Sequence, residues 1–203
     1  MRTGKSWVWT VLMILPLLLV GCGDYGKVDQ GRVIMADVAK KQCTIIRDFR
    51  ADPGNPDYTH MPPHAYTYPT DPHEMGPEPK AGGRMNLDTK GRKITIFDPT
   101  TQDLKTLDYT LIEQRDNVAK DDPLVFDKAE GKAKKFPVVD KDKKTISIYS
   151  GRQKIYVTFS LPEEYFSLPV STWDAGDEVR VYYREEGKAL RFMNISKTDI
   201  YKK

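Results

Sequence analysis

Three histidines are the side chains in this sequence best suited to binding a metal, and all lie in one proline-rich segment. They are His60, His64 and His73, and the neighbouring side chains that could act as further ligands are Met61, Glu74 and Met75. Imidazoles together with a carboxylate or thioethers can bind zinc, copper or nickel. The spacing matches no standard metal site, and the prolines prevent these residues from sharing a helix face. We therefore expect a solvated loop and no cofactor, with metal binding as the alternative.

Catalysis has no comparable motif in the chain. There is no Gly-x-Ser-x-Gly elbow, no glycine loop for a phosphate, and no histidine predicted at a strand end beside a nucleophile. The paired carboxylates fall in predicted turns or linkers, where solvated charge is the ordinary explanation. These pairs are Asp121-Asp122, Glu163-Glu164 and Glu185-Glu186. The sequence therefore predicts a protein without catalytic residues, and an enzyme ranks third among the possible functions.

The N-terminal segment has the order of a secretory signal. Arg2 and Lys5 give it a basic start, an apolar run from Trp7 to Val20 follows, and small residues come next. As a helix, this run would reach only about 21 Å at 1.5 Å per residue, which is short of the roughly 30 Å hydrocarbon core of a bilayer. Pro16 also interrupts it. Residues 1–21 are therefore predicted to be a signal peptide rather than a membrane-spanning helix.

The predicted signal ends in Leu19-Val20-Gly21-Cys22, which resembles the lipobox of bacterial lipoproteins. The resemblance implies cleavage between Gly21 and Cys22, a diacylglyceryl group on the Cys22 thiol, and a new amine that can take a further fatty acid such as palmitate. A thiol suits this chemistry because a thiolate is nucleophilic enough near neutral pH to form a thioether. Two or three acyl chains make a stable anchor, whereas one binds marginally. A secretory signal with a chance cysteine is the alternative.

The residues after Cys22 bear on where such a protein is held. Gly23 and Asp24 put no aspartate directly after the cysteine, where it retains some lipoproteins in the inner membrane. The sequence therefore favours the outer membrane over the inner one, with the protein facing the periplasm. The expected partners are the membrane itself, through the Cys22 lipid, and an envelope protein or glycan.

Charge composition argues against nucleic acid as a partner. The chain has 32 basic and 29 acidic side chains, and two of the basic ones leave with the predicted signal peptide, so the mature chain is close to neutral. A nucleic-acid-binding protein would show a large basic excess clustered on one face. We therefore expect no binding to nucleic acid.

Cys43 is the second of two cysteines in the chain, so a lipidated Cys22 leaves it without a partner within the chain. It lies in Gln42–Ile46, which is predicted to be a strand. A lone thiol in an exported protein is usually buried in a core. We expect burial rather than reactivity, with an intermolecular disulfide as the alternative. No Cys-x-x-Cys-His motif is present, so no c-type haem attachment is predicted.

The mature chain is predicted to be all-β, because its apolar residues alternate over short runs and no segment has a convincing 3.6-residue period. Residues 22–30 are the predicted lipidated tether. A first β unit, 31–115, includes a long proline-rich loop at 52–80, since proline lacks the hydrogen-bond donor that a central strand needs. Within this loop, Tyr66-Thr67-Tyr68 is the candidate for one short edge strand. Residues 116–135, rich in Asp, Lys and Ala, are the predicted linker, and a second β unit follows at 136–203.

An internal repeat relates the two predicted units. The matched segments are Val33-Ile34 with Val138-Val139, Ala81-Gly82 with Ala175-Gly176, and Phe97 with Phe192. Each unit would then have about five short strands, which a closed or nearly closed barrel would leave without open edges. The predicted fold class is two tandem small antiparallel β-barrel-like units, similar to OB or SH3-like barrels in the strand opening at Gly176–Val181. A single β-sandwich of both halves is the alternative.

Aromatic and basic residues of the second unit could form a binding surface, as they do on the faces of OB-fold barrels. The candidates are Tyr149, Arg152, Lys154, Tyr156, Tyr182, Tyr183 and Arg184. Alternate aromatic residues in strands more often belong to the core, so burial is the competing prediction. Trp173, the single tryptophan outside the predicted signal peptide, is expected to pack on the second unit.

Taken as a whole, the chain resembles an uncharacterised lipoprotein family, a domain of unknown function of sulfate-reducing bacteria. The segments that carry the resemblance are Asp52–Tyr58, Met75–Gly82 and Tyr149–Lys154. The resemblance implies an envelope location and supplies no activity or site residues. We therefore expect a lipid-anchored envelope protein that acts by binding, as an accessory or scaffold subunit. A metal- or small-ligand-handling lipoprotein that uses the histidine loop is the alternative.

Overall fold

A computed structural model of the chain describes residues 25–51 and 55–198. The predicted signal peptide and its cleavage and lipidation site at Gly21 and Cys22 lie outside the described residues. Every strand pairing in the described part is antiparallel, and the fold is all-β with short 3₁₀ helices. The all-β, antiparallel part of the predicted fold class is therefore confirmed. Within these residues, no helix is long and apolar enough to cross a membrane.

The strands are short and are joined mostly by tight turns. In chain order they are β1 (Lys27–Asp37), β2 (Gln42–Arg47), β3 (His64–Thr67), β4 (Arg84–Asp88), β5 (Lys93–Asp98), β6 (Asp103–Asp108), β7 (Thr110–Arg115), β8 (Phe126–Asp127), β9 (Lys132–Ala133), β10 (Val138–Asp140), β11 (Thr145–Ser150), β12 (Ile155–Ser160), β13 (Glu178–Tyr183) and β14 (Ala189–Asn194). The 3₁₀ helices are Pro72–Glu74, Glu163–Ser167 and Val170–Trp173.

Strands from both predicted units share sheets. A five-stranded sheet has the order β14-β13-β1-β2-β3, and a four-stranded sheet has the order β10-β11-β12-β7. β1 pairs with β13 from Lys27↔Tyr183 to Arg32↔Glu178, so β1 begins inside the predicted tether. The boundaries predicted at 31–115 and 136–203 therefore do not separate the sheets. The alternation of apolar residues determines which face of a strand is buried, but it does not determine which strand becomes its neighbour.

The remaining strands form a three-stranded sheet, β4-β5-β6, and a two-stranded hairpin, β8-β9. The hairpin lies within residues 116–135, the predicted linker. Val118 and Val125 in the same segment are buried. This segment therefore packs against the rest of the protein as a small element of its own.

The five-stranded sheet curves towards closure without reaching it. Its edge strands are β3 and β14. The backbone N–H of Thr67 in β3 donates to the carbonyl of Gly187, in the turn before β14, at 2.8 Å. The two edge strands themselves do not pair, so the described strands form no closed barrel, and tandem OB- or SH3-like units are not confirmed.

Two large apolar cores result from this arrangement, and each is built from both halves of the chain. The core inside the five-stranded sheet contains Val33, Cys43, Ile45, Tyr66, Val179, Val181, Tyr183, Ala189 and Phe192. The other core joins β4 and β5 to β11 and β12, and Trp173 is completely buried in it. Cys43 is 2% exposed. The predictions of a buried Cys43 and a packed Trp173 are confirmed.

Each half of the chain therefore contributes its second hairpin to the core of the other half: β13-β14 joins the sheet of β1, β2 and β3, and β4-β5 packs against β11 and β12. Two glycine segments cross where this exchange of hairpins occurs. Gly83 forms an antiparallel bridge with Ala175. A Cβ on Gly176 would lie 1.9 Å from the carbonyl oxygen of Val33, and one on Gly82 would lie 2.4 Å from that of Asp174. The glycines of the Ala-Gly pairs that match in the sequence repeat thus lie where the backbone is too crowded for a side chain.

The described part of the proline-rich loop covers the outer edge of β14. The backbone N–H of Gly76 donates to the carbonyl of Phe192 at 2.7 Å, and the Asn194 side chain donates to the carbonyl of Pro77 at 3.2 Å. β3 at the opposite edge of the sheet also belongs to this loop, which agrees with a short edge strand predicted near Tyr66. Covering an edge in this way protects it from pairing with other chains.

Candidate functional site

The outer face of the five-stranded sheet is covered at one end and open at the other. At the covered end, Ile46 and Tyr58 pack with Met85 and Phe97. At the open end, a groove of about 570 Å³ lies over β1, β13 and β14. The residues lining this open groove are Val28, Glu74, Arg180, Tyr182, Leu190, Arg191 and Met193.

Strand register explains why these side chains share one surface. Val28 of β1 lies opposite Tyr182 of β13, which in turn lies opposite Arg191 of β14. Arg180 lies opposite Met193. Successive side chains of a strand point to opposite faces, so the intervening residues Val179, Val181 and Phe192 face the inner core.

The floor of the open groove is unusually apolar for a solvent-facing surface. Val28 is 56% exposed, Leu190 is 45% exposed and Met193 is 37% exposed. Single exposed apolar residues are common, but a contiguous group beside charged residues is typical of an interaction site. The groove is therefore the strongest candidate for a binding surface in the described residues.

Two arginines flank the groove, and they differ in how their charge is balanced. Arg191 makes two hydrogen bonds to Glu74, one of them 2.9 Å from Nη2 to Oε1. These bonds lower the pKa of Glu74 and raise that of Arg191. Arg180 instead donates from Nε and Nη2 to the neutral Gln30 Oε1, at 3.3 and 2.8 Å. Arg180 thus presents a positioned positive charge that no carboxylate in the described part of the chain contacts directly.

A polar recess of about 490 Å³ adjoins the groove and shares Val28 and Arg180 with it. Asp29 lies at its base and accepts hydrogen bonds from the hydroxyls of Tyr66 and Tyr183. Burial, together with the hydrogen bond to the Asp29 carboxylate, raises the pKa of Tyr66. Because this network ties β1 to strands on both sides, the groove is built on a rigid support.

The predicted aromatic and basic surface does not form as one unit. Tyr182 lines the groove, whereas its neighbour Tyr183 is buried in the inner core. Tyr149 and Tyr156 lie on the four-stranded sheet, where their ring centroids are 6.0 and 5.9 Å from that of Phe136. The other candidates are exposed beyond strand ends, and they are Arg152, Lys154 and Arg184.

The three histidines of the metal hypothesis have different surroundings. His60 lies 3.9 Å from Asp57, His64 lies 3.7 Å from Glu186, and His73 is in the 3₁₀ helix beside β14. Across residues 25–51 and 55–198, no group of three or more His, Cys, Asp or Glu side chains could hold a metal ion. The structure does not bring the three histidines together as a ligand set.

Sequence reasoning missed the apolar residues of the groove. Val28 falls in the segment predicted to be a tether, and Leu190 and Met193 fall in the second predicted β unit. One signal was available, because β14 carries apolar residues at both parities: Phe192 is buried and the adjacent Met193 is exposed. A strand that is apolar on both faces needs a contact on both faces.

The fold and the groove together define an all-β protein with shared antiparallel sheets and an open surface groove. The chain belongs to the DUF4881 family, a domain of unknown function, whose family model matches residues 24–203. No curated protein and no solved structure was found to match it. The uncharacterised family that the sequence predicts is thereby confirmed, while its lipoprotein nature and its source in sulfate-reducing bacteria stay predictions.

Proposed function

We propose that this protein is a lipid-anchored protein of the cell envelope, at the outer membrane, that binds a partner protein in the open groove. The observation that carries the proposal is the group of exposed apolar side chains beside Arg180, at the end of the sheet where β1 begins. In this proposal the protein holds its partner at the membrane surface and has no catalytic role.

The position of the groove relative to the lipidation site supports this role. Lys27, the first residue of β1, follows Cys22 by five residues. An extended chain spans at most about 3.6 Å per residue, so a lipid on Cys22 would keep the start of β1 within roughly 18 Å of its own attachment point. Val28, which lines the groove, is the next residue. A partner in the groove would therefore be held close to the bilayer.

The chemistry of the groove favours a protein segment that is both apolar and acidic. Val28, Leu190 and Met193 would bury apolar side chains, and Arg180 would pair with a carboxylate. A glycan offers little apolar surface and suits this groove less well. The partner would contact side chains rather than extend the sheet, because the proline-rich loop already occupies the edge of β14.

We also propose that the five-stranded sheet acts as a rigid, barrel-like support related in shape to OB or SH3-like barrels. The contact between Thr67 and Gly187 supports this view, since it brings the two ends of the sheet together. Such a support would keep the groove residues in one arrangement before binding, which lowers the entropic cost of association.

Site-specific photocrosslinking in cells tests the proposal. A photoreactive amino acid replaces Met193 in the groove, and in a matched control it replaces Ile112, which is exposed on β7 of another sheet. We expect one partner to be captured at Met193 and not at Ile112. The substitution Arg180→Glu should abolish the capture. Equal capture at both positions, or capture that survives Arg180→Glu, would reject the groove as the binding site.

The lipid anchor needs its own measurement. Mass spectrometry of the mature protein should show a diacylglyceryl group on the residue at position 22, and the variant Cys22→Ser should remain soluble after cell fractionation. We expect Cys22→Ser also to lose the partner from the membrane fraction. A mature mass without lipid would contradict the anchor without bearing on the groove.

A further inference from the structure

Three arginines converge on a second cleft at the opposite, covered end of the five-stranded sheet. This arginine cleft has a volume of about 300 Å³ and lies where the crossing glycine segments meet β4 and the turn between β11 and β12. The polar side chains lining it include Arg32, Arg84, Asn86, Ser150, Arg152 and Ser196. Of the described residues that line the cleft, none is acidic.

Arg32 is held in place without having all its hydrogen bonds satisfied. Its Nη1 donates to the backbone carbonyl of Arg84 at 3.3 Å, and its Nη2 lies 3.7 Å from Glu178 Oε2. Its Nε is buried and has no hydrogen-bond partner among the described residues. A buried hydrogen-bond donor without an acceptor costs free energy. The cleft therefore lacks one acceptor, for Arg32 Nε.

Arg84 adds a second buried cation next to the first. Its Nε donates to the carbonyl of Trp173 at 3.1 Å, and no carboxylate of the described residues forms an ion pair with it. Burial and the neighbouring charge of Arg32 together lower the pKa of Arg84 to about 10, although the charge of Asp174 acts in the opposite direction. Glu178 does not balance both charges, because it also accepts the hydroxyl of Tyr58 at 2.7 Å.

We propose that the arginine cleft binds the phosphate group of a ligand. The three arginines belong to three separate segments, β1, β4 and the turn before β12, and all three line the one cleft. A tetrahedral group with several oxygens can accept from three such donors at once, whereas a planar carboxylate is matched by a single fork. Bound phosphate would supply an acceptor for Arg32 Nε and would offset the positive charge of Arg32 and Arg84, whose one ion pair among the described residues is to Glu178. The site does not depend on the lipid anchor or on the groove.

Titration of the whole mature chain with inorganic phosphate tests the site, with NMR of the arginine Nε–H groups as the readout. We expect saturable binding at low ionic strength with a dissociation constant of about 1 mM or tighter. The Nε–H resonance of Arg32 should shift on saturation, and sodium chloride at equal ionic strength should not shift it. No saturable shift up to about ten times that concentration would overturn the proposal.

Variants separate a binding role of the arginines from a structural one. Arg152→Gln changes a residue that is exposed in a turn, so it should leave folding intact. Arg84→Met removes a buried charge that has no ion pair among the described residues, and it keeps an unbranched, mostly apolar side chain. We expect each to weaken phosphate binding about tenfold or more. Arg115→Gln, at an exposed arginine on β7, is the matched control and should bind as the unmodified chain does. Unchanged affinity in both cleft variants would overturn the proposal.

Two further probes identify the source of the phosphate. Methyl phosphate stands for a phosphate monoester, as in small metabolites, and dimethyl phosphate stands for a phosphodiester, as in a polymer backbone. Tighter binding of the monoester would support the site and assign it to a small ligand. Equal binding of both would support the site and assign it to a polymer. Failure of both probes and of inorganic phosphate to bind would overturn it.

Discussion

The two ends of the outer face of the five-stranded sheet belong to the same sheet and have opposite surroundings. At the covered end, Ile46 is fully buried under the three-stranded sheet. At the open end, Val28 of β1 stands on the same face and remains largely exposed. The difference shows that alternation places an apolar residue on a given face of a strand, whereas the other described elements decide whether that face is covered, as at Ile46, or open, as at Val28.

The two ends also differ in how they use charge. At the covered end, Glu178 lies 3.7 Å from Arg32, whereas Arg84 forms no ion pair among the described residues, although the charge of Asp174 acts on it. At the open end, the exposed Arg191 has its own carboxylate in Glu74. Arg180 at the open end donates only to the neutral Gln30, but its side chain is exposed and water can screen its charge. Buried cations such as Arg32 and Arg84 are costly unless they are paired. The covered end is therefore the better candidate for an anion, and the open end for a partner that is mainly apolar.

The largest difference between the ends is expected for two glycine-to-alanine changes. In Gly176→Ala the new Cβ would lie 1.9 Å from the Val33 carbonyl oxygen, so backbone must move. We expect a loss of about 3 kcal/mol or more in the free energy of unfolding. In Gly26→Ala the Cβ would meet only the ring of Tyr182, which can rotate away, and we expect less than about 1 kcal/mol. Urea unfolding of both variants measures the difference, and equal losses would contradict the comparison.

Truncation of apolar side chains should also give different losses of unfolding free energy at the two ends, with a difference almost as large. Ile46→Ala would open a cavity between two sheets, and we expect it to cost about 3 kcal/mol of unfolding free energy. Val28→Ala removes atoms that are mostly in water, and we expect a change within about 0.5 kcal/mol. Denaturant unfolding under one buffer condition measures both. A large loss in Val28→Ala would show that the open end is covered in the isolated protein.

Acid should destabilise the covering sheet more than the open end. Asp98 in β5 accepts hydrogen bonds from the Lys105 side chain and the Thr100 backbone, which lower its pKa from 3.8 to about 2. A lowered carboxyl pKa contributes stability that is complete above pH 3.8 and is lost as the pH falls through about 2. In Asp98→Asn, the free energy of unfolding should therefore fall less than in the unmodified chain between pH 3.8 and about 2. Glu74→Gln is the control and should reduce this fall by less, because the pair of Glu74 with Arg191 is more exposed.

The smallest effect on stability is expected from a thiol placed in the groove. Met193→Cys should change the unfolding free energy by less than about 0.5 kcal/mol and react readily with a thiol reagent at pH 8. The native Cys43, on the inner side of the same sheet, should stay unreactive, since burial raises its pKa to about 12. Mass spectrometry after labelling counts the modified thiols. Modification of Cys43 in the folded protein would show that the inner core opens.

Much of the local structure could be predicted from the sequence. Alternation and turn residues identify an all-β chain, and they also indicate the burial of Cys43 and the short edge strand in the proline-rich loop. The repeat found in the sequence also has a structural meaning, because its matched glycines are the residues at which the two halves cross. These features are local, or they depend on steric limits that hold for any neighbour.

The candidate sites could not be predicted in the same way. The groove requires β1 and β13 to be neighbours, although 140 residues separate the ends of these strands in the chain. The arginine cleft likewise requires the exchange of hairpins between the two halves, because this exchange brings Arg32, Arg84 and Arg152 to one cleft. No short-range pattern contains this information, because backbone hydrogen bonds are the same for every pair of strands.

The sequence by itself therefore determined the type of each segment, the inward face of each strand, and the residues whose lack of a side chain permits a close crossing. The tertiary structure alone decided that the halves exchange hairpins, that the three histidines stay apart, and that one end of the sheet is covered while the other is open. The physical reason is that periodicity records burial along one strand. The choice of strand neighbours is made by the packing of the whole chain around two shared cores.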